Sequence, residues 1–184
     1  MTTTVITPPD EGPVSLQEAK SYLRLGHDGE DALVSSLLAS AVSVVEEAVG
    51  LSLVARTLRR SFNDWPRELL WQRDMRLRPG PITALLAVRV VDGSGDETLL
   101  AERFRLEDGR LNVSRGSGLP VIPEGGRAEI DFVSGFGAPA DVPGDLKLAV
   151  QVVLEAAYTR RGEDVPSIPE SAAAIVSARR EVRL

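Results

Sequence analysis

The chain has 184 residues, long enough for one domain that buries about 70% of its unfolded surface, and carries 21 Lys and Arg against 27 Asp and Glu for a net charge of −6. Having no cysteine, it is excluded from disulfides, thiolate metal sites and cysteine nucleophiles, and its one histidine excludes a histidine-rich metal site. The acidic balance, with a pI near 4.9, argues against a surface that holds the nucleic-acid backbone broadly, because phosphate binding rests on clustered Lys and Arg.

The first residues, Met1-Thr-Thr-Thr-Val-Ile-Thr-Pro-Pro9, lack a basic region ahead of an apolar core, and no run of eighteen apolar residues follows. The expectation is a protein made in the cytoplasm with no membrane partner, and residues 1–13 read as a flexible arm. Ser15 and Glu18 have capping-box spacing, which predicts a helix from about Leu16 to Gly26. The polar hinge after it holds His27 and the acids Asp28, Glu30 and Asp31. These lack the oxygen-rich loop and late bidentate Glu of a calcium hand, and read as helix-start acids.

A long helix is predicted from Asp31 to Val49, ended by Gly50. Leu33, Leu37, Ala41, Val45 and Ala48 form one apolar row, with Val34, Leu38, Val42 and Val49 beside it. Two rows make a face wider than one neighbour usually covers. Periodicity shows burial without naming the partner, so a core helix of a monomer and a helix shared between subunits fit equally well.

Between Thr57 and Phe136 the spacing shifts to short alternating runs bounded by Gly, Pro, Asp and Asn. Thr57 to Trp65 alternates until Pro66; Ala84 to Val91 and Glu97 to Leu100 flank Asp92-Gly-Ser-Gly-Asp96; Asp108-Gly109 marks a tight hairpin within Phe104 to Val113. Arg127 to Val133 alternates Ala128, Ile130 and Phe132 against Arg127, Glu129 and Asp131, closing a small antiparallel sheet with one wet face. Helical spacing returns after Pro143, with Leu146, Val150, Val153, Leu154, Ala157 and Tyr158 as its apolar face, Arg160 and Arg161 in its last turn and Gly162 as terminator. After Glu163-Asp164, Ser167 and Glu170 repeat the capping-box spacing ahead of a last helix from about Pro169 to Arg180. The fold class is therefore α+β: an N-terminal helical pair (14–50), a β-rich insertion (57–136) holding a small central antiparallel sheet, two C-terminal helices (142–180) and a short tail (181–184), all in one domain spanning 1–184.

No catalytic, cofactor-binding or metal-ligating constellation emerges. Gly93-Ser-Gly95 and Gly116-Ser-Gly118 lack the Lys-Ser/Thr and the following helix of a phosphate cradle. Glu46-Glu47 and Glu107-Asp108 are adjacent pairs whose side chains point apart, unlike the converging carboxylates of a hydrolase. The best case for a nucleic-acid surface is the run Arg56, Arg59, Arg60, Arg67, Arg73, Arg76 and Arg78 around Trp65 and Trp71, which leaves a nucleic-acid-binding packaging factor as the rival reading; arginines pairing with acids of neighbouring subunits are the blander account.

In order and spacing, Val14-Ser-Leu-Gln-Glu-Ala-Lys20 with Tyr22-Leu-Arg24, Asp28 with Glu30-Asp-Ala-Leu33, the turn Leu77-Arg-Pro-Gly-Pro-Ile82, Phe132-Val-Ser-Gly-Phe-Gly137 and Val142-Pro-Gly-Asp-Leu-Lys147 resemble the head-to-tail connector, or adaptor, proteins of tailed bacteriophages and phage-derived gene transfer agents. The resemblance implies a structural, non-enzymatic subunit without cofactors. Such subunits form a homo-oligomeric ring, usually of twelve copies, under the portal vertex of a particle made in the bacterial cytoplasm. The implied partners are the portal protein and a tail-side connector or tail terminator protein, with DNA passing through the channel without specific binding. It further implies a portal contact by the C-terminal segment, here Ala178, Arg179, Arg180, Glu181, Val182, Arg183 and Leu184. The wide helical stripe then finds a partner in the next subunit through Val34, Leu38, Val42, Val45 and Val49.

Overall fold

A computed structural model describes residues 1–160 and 168–179. The expectations for Arg161, Gly162, Glu163, Asp164, Ser167 and Arg180 to Leu184 fall outside these residues. The chain is α+β, and where one domain was expected it divides into two compact units: Met1–Pro8 with Ala55–Gly135, and Pro9–Val54 with Phe136–Leu184.

The first unit is β-rich. Strands β1 (Thr2–Thr7), β2 (Arg56–Phe62), β4 (Ile82–Val91), β5 (Glu97–Leu99) and β8 (Arg127–Ser134) form an antiparallel sheet in the order β1-β2-β8-β4-β5. Strands β3 (Asp74–Arg76), β6 (Phe104–Glu107) and β7 (Arg110–Val113) form a second sheet in the order β3-β7-β6, so two sheets stand where the sequence predicted one. The expected flexible arm also differs: Thr2–Thr7 is an edge strand paired to β2, with Thr4 opposite Arg59. Its run of Thr, Val and Ile favours extended backbone, and the prolines at 8 and 9 end the pairing.

Alternation along β8 decides which face is apolar. Ala128, Ile130 and Phe132 are fully buried with Leu58, Val88 and Val90 in one cluster, which extends to Trp65, Leu69, Phe104 and Leu111. Trp65 stands 6.0 Å from Phe104 between ring centres, and its indole N–H donates to the Pro120 carbonyl at 2.7 Å. The β6–β7 hairpin turns through Asp108 (φ 49°) and Gly109 (φ 72°), the positive pair a type I′ turn needs.

The second unit is helical: α1 (Leu16–Tyr22), α2 (Asp31–Val49), α3 (Gly144–Thr159) and α4 (Glu170–Arg179). Ser15 and Glu18 make the predicted capping box, with Glu18 N–H donating to Ser15 Oγ at 3.2 Å and Ser15 N–H to Glu18 Oε2 at 2.7 Å. The helix stops at Tyr22 instead of Gly26, because Arg24 adopts a left-handed φ of 58°. Gly50, at φ 73°, ends α2 as an αL cap. Val34, Ala41, Val45 and Val49 of α2 pack with Leu146, Val150, Val153 and Leu154 of α3 and Ala172 of α4 in a core that excludes water.

Candidate interaction surfaces

Five of the nineteen residues of α2 are buried: Val34, Leu38, Ala41, Val45 and Val49. Four of the five residues expected at the subunit contact are among them. Val34, Val45 and Val49 are 0% exposed inside the core of their own chain and Leu38 is 9%, while Val42 is half-buried against the same core. Side chains that α3 and α4 already cover are not available to a neighbour. Along the neighbouring row Leu33 is 39% exposed, while Leu37, Val44 and Ala48 are half-buried against the same core as Val42. At 3.6 residues per turn Leu33, Leu37, Ser40 and Val44 share one side of the helix, where Ser40 is exposed as the one polar member and exposed Glu47 extends the row.

The hinge acids have a specific local partner. Lys20 Nζ donates to Asp28 Oδ1 at 2.5 Å and to Asp31 Oδ1 at 2.6 Å, clasping the end of α1 to the start of α2. These hydrogen bonds raise the Lys20 ammonium above its ordinary value, and the bond from Lys20 lowers Asp28. Tyr158 OH reaches Glu30 Oε2 at 2.5 Å, tying the end of α3 to the same hinge. His27 is exposed.

The arginine run does not form one patch. Arg59 donates to both oxygens of Asp131 at 2.8 and 2.9 Å and approaches Glu129 at 3.2 Å. Arg89 lies between the same two acids, at 2.9 Å from Glu129 and 2.8 Å from Asp131, and Arg127 reaches Glu129 at 2.6 Å. Glu129 is 3% exposed and Asp131 8%, so the face expected to be wet is closed by its own ion pairs. Burial pushes both carboxyls up, but the hydrogen bonds and charges of the surrounding arginines outweigh it and hold them below the usual carboxylate range. Arg60 lies on the opposite face over the Phe62 ring, where burial lowers its guanidinium, and Arg73 is pinned to the Ser114 and Ser117 carbonyls. Trp65 is a core residue; Trp71, by contrast, is 82% exposed. Adjacent strand residues alternate in direction, which is why a run dense in sequence is dispersed in space.

At the C-terminal end, Ala178 and Arg179 are exposed, and Arg179 pairs with Asp145 on α3 at 2.7 Å. Among the described residues no group of three or more His, Cys, Asp or Glu is placed to hold a metal ion.

Leu33, Leu70 and Trp71 are large apolar side chains left exposed, the residue types of a surface that meets other proteins. Residues 13–76 match the phage gp6-like head-tail connector protein family. The whole chain is similar to a subunit in the neck of the empty gene transfer agent particle computed with C6 symmetry, at 31% identity and a TM-score of 0.85, covering 100% of this chain and 97% of that one. It is similar to a chain of the native gene transfer agent virion at 30% identity and TM-score 0.85, and to one in the native neck computed with C12 symmetry at 29% and 0.83, each with the same coverage. No curated protein matches the chain. The chain belongs to the phage head-tail connector family, and it is a structural subunit of the head–tail junction of a particle.

Proposed function

We propose that this connector acts as one of twelve copies in a ring beneath the portal vertex, joining a DNA-filled head to its tail and lining the passage for DNA. The observation that carries this is the likeness along the entire chain to subunits of particle necks treated with sixfold and twelvefold symmetry. A ring of identical chains needs two different surfaces that complement each other, since a heterologous contact closes only through rotation. The outer side of α2, where Leu33 and Ser40 are exposed, supplies one such surface in this reading.

The portal protein sits on one side of this ring and a tail-side connector or tail terminator on the other. The C-terminal segment from Ala178 onward is the portal contact in this reading. The role is non-enzymatic and needs no cofactor. A net charge of −6 suits a conduit that DNA slides through without sticking. The rival packaging factor is disfavoured by the dispersal of Arg59 and Arg60 to opposite faces and by the burial of Trp65. Mixing the full chain with the portal protein and measuring native mass tests the role: a complex with equal numbers of both subunits is expected, and the absence of any complex removes it. Salt-dependent duplex binding by the connector alone would favour the rival.

A further inference from the structure

The β-rich unit holds a rigid turn whose crest its own fold leaves uncovered. Glu68–Gln72 is a single wide π-helical turn anchored by Leu69, which is 1% exposed in the core, and by the Arg73 guanidinium on the Ser114 and Ser117 carbonyls at 2.8 and 2.9 Å. At the crest Trp71 is 82% exposed and Leu70 is 52%. An indole held out in water on a fixed turn is the residue type and the presentation of an interface anchor. Exposed Arg67, at the start of the turn, has no ion pair among the described residues.

The outer row of α2 has complementary features. Exposed Ser40 lies between half-buried Leu37 and Val44, about one turn to either side, with exposed Leu33 and Glu47 at the two ends of the row, and Glu47 has no ion pair among the described residues. The Ser40 hydroxyl can accept the N–H that an indole carries, beside the apolar edges of its neighbours. Charge is divided in the same sense. The β-rich unit has thirteen arginines against twelve acidic residues, whereas the helical unit has eight basic residues against fifteen acidic ones. The acidic helical unit of one copy therefore attracts the β-rich unit of another more than it attracts a second helical unit.

We infer that the Leu70–Trp71 crest of one copy docks on the outer α2 row of the next, with Trp71 seated over Ser40 and Arg67 facing Glu47. This rests on the ring reading and supplies its two unlike surfaces. The occupant is a second copy of this chain; the portal, a tail-side protein and DNA are the other occupants that the test separates.

The test uses the full chain with a photoreactive phenylalanine derivative in place of Trp71, which keeps an aromatic ring at the crest. Isotopically labelled and unlabelled copies are mixed with portal protein, alone and with the tail-side protein or duplex DNA added, ring formation is followed by native mass, and adducts after irradiation are mapped by mass. The expected adduct joins position 71 of one label to the Asp31–Val49 helix of the other. Trp71→Ala is expected to weaken each contact between copies about thirtyfold, read as loss of the ring, without unfolding the chain, as removal of a central aromatic anchor does. A ring whose adducts map to portal, tail-side protein or DNA, or a ring that forms equally well with Trp71→Ala, overturns the docking while the ring reading stands. Monomer in every mixture overturns the ring reading and the docking with it.

Discussion

Arg89 donates from Nε to Glu129 Oε2 at 2.9 Å across paired strands β4 and β8, with both residues almost wholly withdrawn from water. A pair like this is costly to break from one side, because Glu129 and Asp131 would stay buried with only Arg59 and Arg127 left to offset them. Arg89→Met is therefore expected to destabilise the β-rich unit by about 3 kcal/mol in urea unfolding. Replacing Arg89, Glu129 and Asp131 together by apolar residues of similar volume should cost much less. A single variant that unfolds like the parent would show the network to be solvated and weak.

The same network makes stability depend on acid. Asp131 and Glu129, along with Asp74 beside Arg110 and Asp145 beside Arg179, titrate below their ordinary values in the folded chain. A group depressed by folding contributes stability that is fully present above its unfolded pKa and lost as pH falls through the folded value. The melting temperature should hold level from neutrality down to about pH 5 and fall steeply below about pH 4, where unfolded carboxylates protonate. A melting temperature unchanged down to pH 3 would contradict this.

Much of the fold can be read from the residues because local rules and packing agree: the Ser15–Glu18 box, the Gly50 cap, the Asp108-Gly109 turn and the alternation along Arg127–Val133 all appear where expected. Two kinds of signal stayed hidden. Strand β1 is exposed on every residue, so no burial pattern marked it, and its Thr-rich composition was the only clue. Which half of the α2 stripe faces the core depends on where α3 and α4 return to it, a long-range fact that periodicity does not contain. Trp65 and Trp71 look alike in sequence, and only the docking of Pro120 against one of them separates a core indole from an exposed one.

Swapping positions across α2 tests that division. Val45→Ala removes two methyl groups from a fully buried site and is expected to cost roughly 2 kcal/mol of stability with little specific effect on assembly. Leu33→Ser, at an exposed position, is expected to change stability by less than about 0.5 kcal/mol while weakening subunit association. Urea titration beside native mass reads both. The reverse pattern would restore the buried row as the contact.

At the N-terminal end of α1, Ser15→Ala removes the cap from an exposed helix start and should lower stability by about 1 kcal/mol in thermal or urea unfolding. No loss would mean that Glu18 alone secures this terminus.

The most direct test of the connector role is the native mass of the full chain mixed with portal protein. A single assembly carrying twelve connectors on twelve portal subunits is the predicted result, in keeping with the twelvefold neck it resembles. A connector that remains monomeric beside an intact portal ring would contradict the account.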